Sequence, residues 1–270
     1  MKIGIIQFNS QLNVEANMNF FRKQLLLAKE QGVKLVGVPE NFPFIADCKE
    51  ARKNFYKTIS DDVISQVQSW AKELGLYILT GGHHTWPGDP KLLPHNRIHA
   101  FSPEGLIVQT YDKVHLCDLE VINGPRHFES EVMTPGHLPQ VLDLKENGMW
   151  GLSICFDLRF PLLFQKLRKM GSQVLFVPAA FFYHTGKMHW EVLLRARAIE
   201  NQCYVVAPAQ TGYHGSERRS WGHSMIISPW GEVLVDAKEE VGLFIHDLDF
   251  QVVESMRQQI PVARYLKNIT

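Results

Sequence analysis

The chain contains 270 residues, of which 45% are apolar and 21% are charged, and its formal net charge is zero. A chain of this size buries a large core in one sizeable domain or two small ones. The balanced charge excludes an extended basic surface for nucleic acid or an anionic membrane, and the mixed-sign stretch Glu217-Arg218-Arg219 is typical of a solvated loop.

The amino-terminal segment predicts a buried strand rather than a targeting signal. Its apolar run is interrupted by Gln7 and Asn9, whereas a signal peptide needs a longer unbroken apolar region. No apolar run reaches the roughly twenty residues that span a bilayer. The four cysteines lie far apart in the sequence, which predicts neither a disulfide scaffold nor a zinc site and favours a reducing, cytoplasmic location.

Helical patterns separate the predicted strands. Apolar residues at helical spacing predict a first helix from Val14 to Gly32. A second helix is predicted over residues 160–171, because Pro161 suits a first helical turn. A third is predicted over residues 188–201, a stretch rich in helix-forming residues.

The two halves of the chain resemble each other weakly. The clearest pair of segments is 100–108 and 226–234, where Ser-Pro-x-Gly lies between two β-prone runs and predicts a hairpin. Three further pairs match in order along the halves: 2–8 with 150–156, 34–40 with 173–179, and 76–80 with 202–207.

Each half is therefore predicted as strand, helix, strand, helix, strand and hairpin. Two such halves, packed sheet to sheet with their helices outside, form a four-layer α-β-β-α sandwich. Because no linker separates the halves, we predict one α/β domain over residues 1–270. The alternative is a single doubly wound sheet, which the terminal hairpins fit less well.

Cys155 is the first candidate for chemistry. It lies where a predicted strand turns into a helix, a position that exposes a nucleophile beside backbone N–H groups. A nearby cation would lower the pKa of its thiol and favour the thiolate. The alternative is a buried structural cysteine.

Glu40 and Lys113 are the second and third candidates. Glu40 follows a buried strand, where a carboxylate must be paired, capping or catalytic because an unpaired buried charge is costly. Lys113 follows the first predicted hairpin, where the alternative is an exposed loop lysine. The histidines at 83, 84, 95 and 99 lack carboxylates or cysteines at metal-ligand spacing, so no metal site is predicted.

Together these segments resemble the carbon–nitrogen hydrolase (nitrilase) superfamily over nearly the whole chain. Its pattern is a Glu after the second strand, a Lys in Tyr/Arg-x-Lys-x-His-Leu, and a Cys in Cys-Tyr/Phe-Asp-x-Arg-Phe/Tyr-Pro, and all three occur here in order. The resemblance implies an α-β-β-α sandwich in which Cys155 is the nucleophile, Glu40 the proton carrier and Lys113 the oxyanion partner. It also implies that Glu129 orients Lys113 and the substrate.

The implied reaction is amide hydrolysis through a thioester, with the Phe156 backbone N–H as a second oxyanion donor and without a cofactor. Within the superfamily, residues 113–118 and 189–200 resemble the deaminated glutathione amidase branch. The implied substrate is deaminated glutathione or a similar small α-keto amide, cut to a carboxylate and ammonia. The alternatives are an omega-amidase acting on 2-oxoglutaramate or 2-oxosuccinamate, and a nitrile or carbamoyl hydrolase of the same fold. A non-enzymatic scaffold protein of this fold would be expected to have lost one or more of Glu40, Lys113 and Cys155, and all three are present.

Substrate contacts are predicted after the strand that ends near residue 178. Phe181, Tyr183, Thr185 and His189 are expected to line the pocket, although Phe181 suits the core equally well. An acidic substrate would bind Arg159 or Arg126, unless Arg159 pairs with a carboxylate of the protein. The 121–128 loop matches neither branch. The superfamily resemblance also implies a homodimer or higher oligomer, for which the helix over residues 188–201 is the candidate surface.

Overall fold

The computed structural model describes residues 1–45, 60–89, 92–120, 126–216 and 218–265. Within these ranges the chain forms an α/β fold of two large sheets, two small hairpins and five α-helices. The helices are α1 (Val14–Glu30), α2 (Ser60–Leu74), α3 (Pro161–Lys169), α4 (Tyr183–Asn201) and α5 (Phe250–Gln259). None of them is long and apolar enough to cross a membrane.

The strands in these ranges, in chain order, are β1 (Lys2–Gln7), β2 (Leu35–Gly37), β3 (Tyr77–Leu79), β4 (His83–Thr85), β5 (His95–Phe101), β6 (Ile107–Asp112), β7 (Asp118–Glu120), β8 (Arg126–Phe128), β9 (Gln140–Asp143), β10 (Met149–Leu152), β11 (Val174–Phe176), β12 (Tyr204–Ala207), β13 (Thr211–His214), β14 (Arg218–Trp221), β15 (Met225–Ile227), β16 (Val233–Asp236) and β17 (Gly242–Asp247).

The two large sheets have matching strand orders, which confirms the predicted repeat. The first sheet runs β17-β1-β2-β3-β5, and both β4 and β6 pair with β5. The second runs β9-β10-β11-β12-β15-β16. In each sheet three parallel strands occupy the centre and antiparallel strands flank them. The hairpins β5–β6 and β15–β16 are the two predicted from Ser-Pro-x-Gly.

Alternation along β1 shows how the four layers arise. Ile3 and Ile5 pack in one cluster with Trp150 of the second sheet, so this face of β1 lies between the sheets. Ile6 belongs to a second cluster with Phe21 of α1, so the other face is covered by helices. On the far side, α3 contacts β10 and α4 contacts β12 and β15. The α-β-β-α sandwich predicted from the sequence is confirmed.

The structure corrects the start of the third predicted helix. Helix α4 begins at Tyr183, five residues before the predicted Met188. Local propensity argues against a helix here because Gly186 lies in this turn. Packing outweighs propensity: a Cβ at Gly186 would lie 2.3 Å from the Cβ of Trp221, so only glycine lets α4 approach β14 this closely. The small hairpins β7–β8 and β13–β14 and the elements β17 and α5 were not predicted.

Candidate active site

The three predicted segments meet at one cleft of about 710 Å³. Glu40 follows β2, Lys113 follows β6, and Cys155 follows β10, so each side chain is carried by the loop at the end of a strand. Glu129, directly after β8, lines the same cleft. The hydrogen bond between Lys113 and Glu40 joins residues 73 positions apart in the sequence.

Cys155 occupies a strained turn. Its φ is 45°, in the left-handed region that costs a non-glycine residue about 1–2 kcal/mol. The turn is held because the Cys155 N–H donates to the Pro178 carbonyl at 2.9 Å, and a short 3₁₀ helix begins at Cys155. The side chain is only 8% exposed.

The Cys155 thiol keeps its proton at neutral pH. Burial raises its pKa well above the usual value, and the negative charge of Glu40 raises it further. Lys113 lowers the pKa, as expected from the sequence, but its effect is outweighed. Lys113 therefore acts on the thiol in the expected direction, but burial and the charge of Glu40 leave the net pKa of the thiol raised.

Lys113 lies between two carboxylates and is only 2% exposed. Its Nζ donates to Glu40 Oε1 at 3.0 Å and to Glu129 Oε2 at 2.8 Å. Burial alone would lower the pKa of Lys113, but the charges of Glu129 and Glu40 hold the pKa well above its usual value. The ammonium is therefore charged at neutral pH.

Glu40 is fully satisfied by donors and remains ionised. Its Oε2 accepts from the Ala180 backbone N–H at 3.0 Å. Burial raises the pKa of Glu40, but the charge and hydrogen bond of Lys113 outweigh burial. Hydrogen bonds from the Cys155 thiol and the Asn96 amide lower it further, so the pKa lies below the usual value. A carboxylate that accepts a hydrogen bond from the thiol is positioned to remove the thiol proton.

Asn96 is a site residue that the sequence did not reveal. Its Nδ2 donates to Glu40 Oε1 and to Glu129 Oε1, both at 2.9 Å, and so bridges the two carboxylates. Glycine at position 82 leaves room for this side chain, because a Cβ there would lie 2.2 Å from Asn96 Oδ1.

Asp157 joins the cysteine turn to the lysine segment. The carboxylate is fully buried and accepts from the Ile154 N–H at 2.9 Å and the Tyr111 hydroxyl at 2.7 Å. It also accepts from the His115 N–H at 3.0 Å and contacts His115 Nδ1 at 2.7 Å. The His115 ring in turn stacks on Phe160 at 3.7 Å between centroids. These contacts give His115 a place in the framework of the site.

The predicted substrate contacts divide into two groups. Phe181 and Thr185 line the cleft, and Phe156 lines it beside Cys155. Tyr183 and His189 are not among the lining residues in the described part of the chain. The Tyr183 ring instead packs against Trp221 at 5.2 Å, and His189 Nδ1 lies 3.2 Å from a guanidinium nitrogen of Arg159.

Two arginines line the cleft. The Arg159 guanidinium lies over the rings of Phe156 (5.6 Å) and Phe181 (5.1 Å). Among the described residues it forms no ion pair with a carboxylate, so the alternative in which Arg159 pairs with an acidic residue of the protein is not observed there. Arg218, which the sequence suggested lies in a solvated loop, begins β14 and lines the cleft. The Arg126 side chain and residues 121–125 of the 121–128 loop lie outside the described residues.

Two histidines outside the cleft lie in the protein interior. His83 and His99 are buried with their rings 5.1 Å apart. Burial lowers the pKa of His83 to about 4 and lowers that of His99 well below its usual value. Within the described ranges no group of three or more histidine, cysteine or acidic side chains comes together as a metal site would require.

Comparison with known proteins identifies relatives over the whole length. Residues 2–258 match the family model described as Carbon-nitrogen hydrolase. The chain is 41% identical over 261 residues to a deaminated glutathione amidase of Synechocystis, with 96% of each chain covered. It is 36% identical to the rat deaminated glutathione amidase, covering 97% of this chain and 81% of the relative.

Solved structures agree with the sequence matches. The C. elegans NitFhit protein superimposes with a TM-score of 0.92 at 36% identity, over 98% of this chain. This chain spans 65% of that longer fusion protein. Saccharomyces cerevisiae Nit3, a member of branch 10 of the nitrilase superfamily, superimposes with a TM-score of 0.82 at 28% identity, covering 97% of this chain and 94% of Nit3.

Proposed function

Because this chain belongs to the carbon–nitrogen hydrolase family and is an enzyme acting on carbon–nitrogen bonds, we propose that it is a cysteine-dependent amidase with Cys155 as nucleophile. The observation that carries this proposal is the position of Glu40, whose carboxylate accepts hydrogen bonds from both the Cys155 thiol and the Lys113 ammonium. A nucleophile, a base and a cation thus share one buried contact.

In the first step Glu40 removes the thiol proton while sulfur attacks the amide carbon. Proton transfer and attack occur together, since moving a proton from a high-pKa thiol to a low-pKa carboxylate is unfavourable by itself. Negative charge develops on the substrate oxygen. The Lys113 ammonium and the Phe156 backbone N–H stabilise it, and one such donor contributes roughly 3–4 kcal/mol in the transition state.

In the second step the protonated Glu40 gives its proton to the leaving nitrogen, and the carbon–nitrogen bond breaks. The product is a thioester on Cys155 together with ammonia or an amine. Water then attacks the thioester, Glu40 removes a proton from that water, and the carboxylic acid leaves as the thiol is restored. Glu129 acts through Lys113 by holding its ammonium at 2.8 Å.

The proposed substrate is deaminated glutathione or a similar α-keto amide. Relatives at 36–41% identity carry that name, and an acidic substrate suits the Arg159 guanidinium, which lines the cleft beside Phe156 and Phe181. Phe181 and Thr185 line the same cleft. Tyr183 and His189 keep a supporting role, Tyr183 as the first residue of α4 packed against Trp221 and His189 through Arg159. The alternative substrates are 2-oxoglutaramate and 2-oxosuccinamate.

The nucleophile is tested by comparing Cys155→Ser with Cys203→Ser, a buried cysteine of the second half. With deaminated glutathione as substrate, Cys155→Ser should lose activity by about a thousandfold or more, and Cys203→Ser should retain it. Hydroxylamine should trap the thioester as a hydroxamate in the native enzyme only. Substantial turnover by Cys155→Ser, or no hydroxamate from the native enzyme, would refute the assignment.

The chain is also proposed to form a homodimer through α4. Met188 and Val192 are 68% and 67% exposed one helical turn apart, and Ile199 continues the apolar stripe. Val192→Glu should convert a dimer to a monomer in light scattering, whereas Leu12→Glu, at a similarly exposed apolar residue elsewhere, should not. A monomeric native protein would exclude this interface.

Two further proposals concern the chain as a whole. Residues 1–270 form one domain, because the cluster between the sheets draws on both halves and β17 pairs with β1. We therefore expect a single unfolding transition by every probe, and two separate transitions would contradict it.

A cytoplasmic location is proposed because Cys117, Cys155 and Cys203 are free thiols. Recovery of the native protein only from a secreted or organelle fraction would contradict this location.

A further inference from the structure

Two arginines line the cleft in addition to the residues proposed to react. Glu40 and Glu129 share Lys113, which leaves this trio with one net negative charge. Arg159 and Arg218 line the same cleft, so its described lining residues carry one more positive than negative group, histidines aside. Arg159 lies beside the reacting cysteine, over Phe156. Arg218 is a second guanidinium without a role in the proposed reaction.

Arg218 is held at a defined place by Phe182. Its guanidinium carbon lies 5.4 Å from the centre of the Phe182 ring. Phe182 forms an antiparallel bridge with Ser220, two residues beyond Arg218, so β14 is fixed along this segment. The His127 ring meets Phe182 edge-on at 5.5 Å, and the Thr185 hydroxyl donates to the Phe182 carbonyl at 3.4 Å. Arg218, His127 and Thr185 all line the cleft, and they lie around Phe182, the first two at its ring and Thr185 at its carbonyl.

The chain segment between the Glu40 contact and Phe182 has the length of a short peptide. The Ala180 N–H contacts Glu40 at 3.0 Å, and Phe182 follows two residues later in an extended conformation. Two extended residues span roughly 7 Å. In an amide substrate whose nitrogen begins a dipeptide, the scissile carbonyl and the terminal carboxylate are also separated by roughly two extended residues.

We propose that Arg218, with Thr185 and His127 around Phe182, forms a subsite for the terminal carboxylate of a dipeptide on the leaving side of the scissile amide. The cysteinyl-glycine part of deaminated glutathione has this chemistry. The proposal rests on the proposed amidase function and adds the specificity element that separates long dianionic amides from short ones. A guanidinium is suited to this task because its planar N–H groups bind a carboxylate through two parallel hydrogen bonds.

The test compares three substrates with the full-length enzyme: deaminated glutathione, its C-terminal glycinamide, and 2-oxoglutaramate, which lacks the dipeptide. Arg218→Ala should lower kcat/KM for deaminated glutathione by about tenfold to a hundredfold, mainly through KM. The other two substrates should change by less than about threefold, because neither presents a terminal carboxylate to the subsite. Arg218→Lys should recover part of the loss.

The matched control is Arg219→Ala, on the same strand, whose guanidinium lies over Tyr183 at 3.8 Å. It should leave all three substrates unchanged. An equal loss for all three substrates in Arg218→Ala, or no loss for any, would overturn the subsite. Calorimetry on the Cys155→Ala protein measures binding without turnover. If deaminated glutathione binds no more tightly than its glycinamide, the subsite is refuted, and this result does not depend on whether the amidase function is confirmed.

Discussion

The Tyr111 hydroxyl donates a 2.7 Å hydrogen bond to the buried carboxylate of Asp157, 46 residues later in the chain. Tyr111 lies two residues before Lys113, and Asp157 lies two residues after Cys155. The bond therefore fixes the distance between the segment that supplies the cation and the turn that supplies the sulfur. The lysine motif and the cysteine motif, which predicted the site, are thus joined directly by this hydrogen bond.

Tyr111→Phe should therefore destabilise the protein without removing any group proposed to react. It deletes one of the hydrogen bonds to a buried, charged acceptor, which costs about 1.5–3 kcal/mol in the free energy of unfolding. Urea unfolding should report that loss, and the exposed Tyr213→Phe should change stability by less than about 0.5 kcal/mol. Equal stability of the two variants would mean that the Tyr111–Asp157 bond contributes nothing.

Asn96→Ala should move the acidic limb of the pH profile upward. The Asn96 amide lowers the pKa of Glu40 by hydrogen bonding to its charged form, so removing the amide raises that pKa. Because the ionised carboxylate is the proposed base, activity should begin to fall at a higher pH as the solution is acidified. The measurement is kcat/KM against pH, with Asn201→Ala, a buried asparagine of α4, as the control. Superimposable profiles for Asn96→Ala and the native enzyme would exclude this electrostatic role.

Gly81→Ala should disturb Glu40 through the backbone. A Cβ at Gly81 would lie 2.0 Å from the Pro39 carbonyl oxygen and 2.4 Å from the Glu40 nitrogen, and neither backbone atom can move alone. We expect a loss of about 1–3 kcal/mol in stability and about a hundredfold in kcat, since small displacements of a catalytic group have effects of that size. Gly32→Ala is the control. Gly32 has a φ of 73° and open space around it, so alanine should cost about 1 kcal/mol in stability and leave activity per folded molecule unchanged.

The protein should lose stability on acidification through His83. Its folded pKa of about 4 lies below its ordinary value of 6.5, so the unfolded chain binds the proton more readily. Stability is therefore complete above about pH 6.5 and falls progressively towards pH 4, by about 3 kcal/mol from this group. His83→Gln should flatten the dependence of unfolding free energy on pH between these limits, whereas the exposed His137→Gln should not. An unchanged slope in His83→Gln would show that other groups cause the acid sensitivity.

The sequence predicted those parts of the molecule that local patterns encode. Apolar periodicity located α1, and the repeated Ser-Pro-x-Gly turns located both hairpins, so the sandwich followed from the repeat. Glu40, Lys113 and Cys155 were found because each lies in a motif at the end of a predicted strand. Asn96 was missed because its role depends on meeting two carboxylates from distant loops, and nothing adjacent in sequence marks it.

Other features depended on pairing between distant segments. Arg218 resembled a solvated loop residue because its neighbours are charged, yet β14 lies along Phe182 through a contact that no periodicity reveals. The start of α4 was placed too late because Gly186 lowers helix propensity, and only its packing against Trp221 explains why a helix forms there. The lowering of the thiol pKa by Lys113 was predicted, but the larger opposing effects of burial and Glu40 were not.

The antiparallel pairing of β17 with β1 has a consequence for biosynthesis. As the nascent polypeptide leaves the ribosome, β1 emerges first and β17 about 240 residues later. Until then one side of β1 presents unsatisfied N–H and C=O groups, a template for pairing with another chain. The sheet whose loops carry Glu40 and Lys113 is thus completed only after β17 has emerged, and polypeptides truncated before Gly242 should aggregate rather than accumulate as half-molecules.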